Sequence, residues 1–150
     1  MLGNVRLSIF NDSMEDHKVI AIVDDDPDDL EMIGEVLCSI DPHLEIISLT
    51  SSISFLQKLD ELESNYQPSI LIIDYNMPFL NGGDVLDALN ENDNYRCAVK
   101  IIMTTSDSTH FKELCLEKGA DYYFSKPSSM KAYIEIGKKI LEISEAKSGI

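Results

Sequence analysis

Short apolar runs recur along this chain, and each leads into side chains that can hold or carry charge. Val19-Ile20-Ala21-Ile22-Val23 runs into Asp24-Asp25-Asp26, Ile70-Leu71-Ile72-Ile73 into Asp74, and Ile101-Ile102-Met103-Thr104 into Thr105. A further run, Tyr122-Tyr123-Phe124, leads into Ser125-Lys126-Pro127. Runs this short suit strands covered on both faces, and the longer stretches between them carry a helical period. That is the pattern of βαβ units rather than of a sandwich. The expectation is a single α/β domain over residues 18–146, a doubly wound parallel sheet of five strands with five helices. A chain of 150 residues can bury one real core and hardly two.

The helices announce themselves by their stops and stripes. Pro27 suits an opening turn, Leu30, Ile33, Leu37 and Ile40 form one apolar stripe, and Asp41-Pro42 ends it. Leu44 to Leu49 reads as a strand near a sheet edge, because Glu45 and Ser48 interrupt it. Ser51 or Ser52 caps the next helix, with Phe55, Leu56, Leu59 and Leu62 facing inward. Val85, Leu86 and Leu89 mark a third helix after an irregular loop, and Ser108 opens a fourth carrying Phe111, Leu114 and Cys115, closed by Gly119. The last helix, about Ser128 to Ala146, shows two apolar stripes: Met130, Ile134, Gly137 and Leu141, then Tyr133, Ile136, Ile140 and Ile143. One stripe covers a sheet; the surplus points equally to a partner-binding face and to a broad buried face. Residues 1–17 have no sustained period and are expected to form a disordered tail, with Met14 just ahead of the first strand. No output domain is expected.

Right-handed crossovers return every strand of a parallel sheet in the same direction, so the carboxyl ends of the runs meet at one edge. Asp24 to Asp26, Asp74, Thr105 and Lys126 therefore converge, in the crevice where open α/β sheets bind ligands. Adjacent carboxylates repel unless a cation compensates. Mg²⁺ suits an all-oxygen, acidic set, since it takes a few carboxylates and keeps waters that phosphate oxygens can replace. In such a site Asp74 is the candidate nucleophile. Lys126 neutralises charge on the transferred group, and Thr105 hydrogen-bonds one of its oxygens. An acidic helix start would explain Asp26 and Asp28-Asp29 but leaves Asp24 and Asp25 without a reason.

Taken together, Ile22-Val23-Asp24-Asp25-Asp26-Pro27, Ile72-Ile73-Asp74-Tyr75-Asn76-Met77-Pro78 with Gly82, Met103-Thr104-Thr105-Ser106 and Tyr123-Phe124-Ser125-Lys126-Pro127 closely resemble the CheY-like receiver domains of two-component response regulators. The resemblance covers about residues 18–145 and implies the flavodoxin-like strand order 2-1-3-4-5. It implies Asp74 as phospho-acceptor, with Lys126 and Thr105 assisting. It implies Mg²⁺ held by Asp25, Asp74 and the backbone carbonyl of Asn76, with Asp24 acting indirectly. Thr105 and Tyr123 match the switch pair, and Asn76 and Asp107 the positions that tune phosphoryl loss, here with the look of a short-lived chemotaxis type. Asp26 falls at a variable place. Thr104 stands where an aliphatic residue is usual and Lys100 where proline is common.

The resemblance further implies a histidine kinase or phosphotransfer protein as donor, and a downstream protein partner at the helix 4, strand 5 and helix 5 face. The chain is then no enzyme beyond its own phosphorylation and dephosphorylation. A monomer that pairs weakly when phosphorylated is expected. Two rivals are a phosphorylation-independent adaptor, which has no need of all these groups, and an aspartyl phosphohydrolase. The latter normally carries a second acid two residues after its nucleophile, where this chain has Asn76.

The net charge of −15 speaks against nucleic acid, which needs clustered cations. No stretch approaches the roughly 20 apolar residues that span a bilayer, and no leader pattern opens the chain, so a cytoplasmic location is expected. Cys38, Cys97 and Cys115 lack metal or disulfide spacing and are expected to be reduced packing residues. His17, His43 and His110 form no ligand pattern, and Asn11-Asp12-Ser13 is a chance glycosylation triplet.

Overall fold

The computed structural model describes residues 18–105 and 108–148. The expected tail over residues 1–17 and the position of Asp107 lie outside the described residues. The strands are β1 (Lys18–Val23), β2 (Leu44–Leu49), β3 (Ile70–Ile73), β4 (Val99–Thr104) and β5 (Tyr122–Ser125). The helices are α1 (Pro27–Ile40), α2 (Ser52–Glu61), α3 (Gly82–Asn90), α4 (Thr109–Glu117) and α5 (Met130–Ser148), with short 3₁₀ turns at Ser64–Tyr66 and Asp93–Tyr95. All strand pairs are parallel and their order is β2-β1-β3-β4-β5. The expected doubly wound sheet is thus what the chain forms, and the interrupted strand β2 does sit at its edge.

Alternation along the strands divides the apolar side chains between the two faces. Ile20, Ile22, Ile70, Ile72, Ile101 and Met103 pack with Leu30, Ile33 and Leu37 of α1 and Ile140 and Leu141 of α5. Ala21, Val23, Leu71, Ile73 and Ile102 pack on the other face with Phe55 and Leu59 of α2, Val85, Leu86 and Leu89 of α3 and Cys115 of α4. Phe55, wholly enclosed, represents about 2–3 kcal/mol of apolar burial.

Local chemistry sets the helix ends. Asp26 caps α1 by accepting the Asp28 amide, Ser51 caps α2, and Asn81 with Asp84 forms a reciprocal capping box on α3. Gly119 (φ 104°) closes α4 in the left-handed region. The last helix begins two residues later than expected because Ser129 Oγ accepts the Ala132 amide. Of its two stripes, Tyr133, Ile136, Ile140 and Ile143 join the core. Gly137 and Leu141 are also buried, whereas Met130 and Ile134 remain exposed. The packing expectation for cysteine holds only for Cys115; Cys38 and Cys97 are exposed, and none of the three forms a disulfide. No helix among the described residues is long and apolar enough to cross a membrane.

Candidate functional site

Strand register brings the polar strand ends together. The Asp24 amide bonds Leu49 O (3.2 Å), the Asp74 amide bonds Val23 O (3.0 Å), and the Lys126 amide bonds Thr104 O (2.8 Å). Each ladder therefore continues one step past its strand, so these residues lie along a single edge. Asp24 and Asp74 are buried, at 6% and 4% exposure, and Asp25 is exposed. Carboxylate oxygens of Asp24, Asp25 and Asp74 all lie within 4.8 Å of one another. That donor set, three hard oxygens with one side open, fits Mg²⁺ or Mn²⁺ and has none of the nitrogen or sulfur that zinc prefers.

Lys126 supplies the compensating charge. Its Nζ stands 2.7 Å from Asp24 Oδ2, 2.8 Å from Asp29 Oδ2 and 3.6 Å from Asp74 Oδ2. Burial alone would lower the pKa of this amine, but bonds to the Asp24 and Asp29 carboxylates outweigh it and hold the ammonium charged well beyond its ordinary range. Asp74 is pushed up to about 7, first by burial and then by the charge on Asp24, against the pull of Lys126 and a bond from the Asn76 amide. Asp24 is raised as well, chiefly by burial. Two interacting buried carboxyls beside one ammonium thus resist carrying full charge together, and a divalent ion relieves that directly.

The loop after Asp74 is tightly held. The Gly82 amide donates to Tyr75 O at 2.8 Å, and a Cβ at Gly82 would lie 2.8 Å from Tyr75 Cα. Phe79 adopts φ 69° and is 89% exposed, an aromatic ring standing clear of the surface beside the site. Asn76 is exposed, and its Nδ2 donates to Thr104 Oγ1 at 3.3 Å. Thr104, read from sequence only as an unusual residue, is therefore tied to this loop.

Thr105 stands just past β4, exposed, at the same edge. Tyr123 is half-buried on β5 and packs against the α2–α3–α4 side of the core. Asp26 faces its own helix start as a cap and is not among the three clustered carboxylates. Two residues join the site that sequence reasoning passed over: Asp29, through Lys126, and Tyr133 of α5, which lines the same small cleft with Asp24, Asp29, Asp74 and Lys126. Tyr133 was read only as packing, and Asp29 only as an acid suited to a helix start.

Residues 20–137 match the family model described as response regulator receiver domain. Among curated proteins, response regulator Rcp1 of Synechocystis sp. is 27% identical over 124 residues, covering 81% of this chain and 84% of that protein. Among solved structures, the phosphorylated cyanobacterial phytochrome response regulator RcpA superposes with a TM-score of 0.76 at 20% identity, covering 84% of this chain and 92% of that one. The Mn²⁺-bound form of response regulator Rcp1 gives a TM-score of 0.72 at 24% identity, covering 82% and 91%.

Proposed function

This chain belongs to the response regulator receiver domain family, and from that premise we propose that it is a switch set by phosphorylation of Asp74 in a Mg²⁺-dependent reaction. One observation carries the reading: the Asp74 carboxylate is buried at the sheet edge with Asp24 and Asp25 oxygens within 4.8 Å and an ammonium 3.6 Å away. Asp25, Asp74 and the Asn76 carbonyl would hold the ion, whose charge offsets that of the phosphoryl oxygens when bound. Asp24, already engaged by Lys126 and the Asp26 amide, contributes charge at one remove.

In the transfer, an Asp74 oxygen forms a bond to phosphorus while the bond from phosphorus to the donor histidine nitrogen breaks. The electron pair leaves with the imidazole, which is then protonated. Lys126 moves onto a phosphoryl oxygen and Thr105 donates to another, which is positioning and charge stabilisation rather than proton chemistry. Catalysis is confined to the chain's own phosphorylation and its reversal, with Asn76 and Asp107 tuning the latter.

The output is a population shift in which Thr105 and Tyr123 move together and alter the α4–β5–α5 face. On that face Tyr122 is 39% and Met130 53% exposed, and Lys139 Nζ sits 5.6 Å over the half-buried Phe124 ring. This combination of ring, ammonium and apolar side chain suits a protein partner. A histidine kinase or phosphotransfer protein supplies the phosphoryl group in the cytoplasm. The unmodified protein is monomeric, and phosphorylation promotes weak pairing.

Intact mass after incubation with acetyl phosphate and Mg²⁺ tests the reading. One labile phosphoryl adduct is expected, absent in Asp74→Asn and absent with chelator. An unmodified protein would mark an adaptor, and rapid steady release of phosphate without an adduct would mark a hydrolase.

A further inference from the structure

The ammonium of Lys126 is not directed at the acceptor. Its short contacts are to Asp24 and Asp29 at 2.7 and 2.8 Å, and Asp74 is the distant member of the three at 3.6 Å. An ammonium has three N–H donors in fixed tetrahedral array. Asp24 and Asp29 take two of them and hold Nζ 3.6 Å from Asp74, so closer approach of the ammonium to that carboxylate lengthens one of the two short bonds.

The two holders differ in how readily they can let go. Asp24 is buried, its side chain only 8% exposed, and it also accepts the Asp26 amide at 2.9 Å. Losing Lys126 would leave it an unpaired buried charge, which is expensive. Asp29 has a side chain 30% exposed, sits in the first turn of α1, and can turn to water when released. Asp29 is therefore the bond that yields.

We propose that Asp29 is a positioning residue that draws Lys126 away from Asp74 in the unphosphorylated protein and so weakens binding of phosphoryl groups. The proposal rests on Asp74 being the phospho-acceptor, and concerns the acid on α1 rather than the set already given a role. Its effect has the same sign by two routes: Asp29 holds the ammonium back from the place of the phosphoryl oxygens, and its charge repels them. Neutralising it strengthens binding. Asp28, adjacent and exposed, donates its amide to Asp26 and makes no bond to Lys126, so it separates position from charge.

The test is the Mg²⁺-dependent affinity for beryllofluoride, a phosphoryl mimic, followed by fluorine NMR on the whole chain. Asp29→Asn should bind about fivefold more tightly than the wild type, the scale of one partly exposed ion pair. Asp29→Glu, which restores the carboxylate, should return toward the wild-type value, and Asp28→Asn should leave it unchanged. Thermal melts confirm that each variant is folded. Equal affinity in the wild type and Asp29→Asn, weaker binding in Asp29→Asn, or an equal gain in Asp28→Asn overturns the proposal. A wild type that neither binds beryllofluoride nor forms the acetyl phosphate adduct would instead overturn the proposed function.

Discussion

Asn76 Nδ2 donates to Thr104 Oγ1 across 3.3 Å, tying the loop after the acceptor to the end of β4. Thr104 is wholly buried while Asn76 is exposed, so the bond fixes an otherwise solvated amide. Thr104→Val removes the acceptor and keeps the shape. The untethered Asn76 amide can then orient water toward phosphorylated Asp74, so the phosphoryl half-life should shorten. The loss of stability should be at most about 1 kcal/mol, the worth of one neutral hydrogen bond. Decay of the adduct by intact mass checks the first point, and an unchanged half-life would leave the tether without a role.

Asp74 and pH are linked by burial. The folded protein keeps this carboxyl protonated up to about pH 7, whereas the unfolded chain releases the proton near 3.8. Stability from this group is therefore full below the lower value and is lost as pH rises through the higher one. Asp74→Asn cannot ionise. It should stabilise metal-free protein at pH 8 by about 1–3 kcal/mol and leave it unchanged near pH 3.5. Urea titrations at both pH values decide the matter, since an equal gain at each would assign the effect to packing.

Lys126→Met removes the charge that Asp24 and Asp74 share. Breaking a buried pair costs more than never having made it, here about 2–4 kcal/mol at pH 8. Lysine itself stays charged across neutral pH, its folded value being raised, so the pH dependence comes from the carboxyls. Without the ammonium their folded pKa values rise further, and the loss should shrink as pH falls toward 5 and they take up protons. Thermal melts across that range measure it.

Gly82→Ala and Gly34→Ala should act in opposite directions. A methyl at Gly82 meets Tyr75 Cα at 2.8 Å and Asp74 O at 3.0 Å, both backbone atoms that cannot turn aside. Displacing them should cost about 1–3 kcal/mol and weaken Mg²⁺ binding through the shifted loop. Gly34, inside α1, has open space around the same atom. Alanine there should gain about 0.5–1 kcal/mol from helix propensity alone. Tyrosine fluorescence suits the metal titration, because the chain has no tryptophan and Tyr75 adjoins the acceptor.

Asp24, Asp25, Asp74 and Lys126 could be brought together on paper because topology alone decides where parallel strands end. Asp29 could not. It stands next to Asp28 with the same side chain, and only the rotation of α1 against the sheet turns one toward Lys126 and the other toward solvent. Tyr95 was equally hidden: it lies in a 3₁₀ turn with no period to betray it, yet is fully buried and donates to Leu59 O at 2.7 Å. Lys100, noted only as an unusual residue, is buried beneath that turn and donates to the carbonyls of Tyr95 and Ala98 at 2.9 and 3.1 Å. Cys38 misled because isolated reduced cysteines are commonly buried, whereas this one lies on the solvent side of α1, off the stripe of Leu30, Ile33 and Leu37. Contacts made by irregular turns and by helix rotation have no counterpart in one-dimensional pattern.

The division of the apolar side chains by the sheet has a consequence for how such a molecule can change. Ile72 and Leu71 are neighbours in sequence yet belong to separate compartments, one beneath α1 and α5, the other beneath α2, α3 and α4. The strands act as a bulkhead. Repacking the α1–α5 compartment leaves the furnishing of the opposite one intact, and only the acidic rim answers to both.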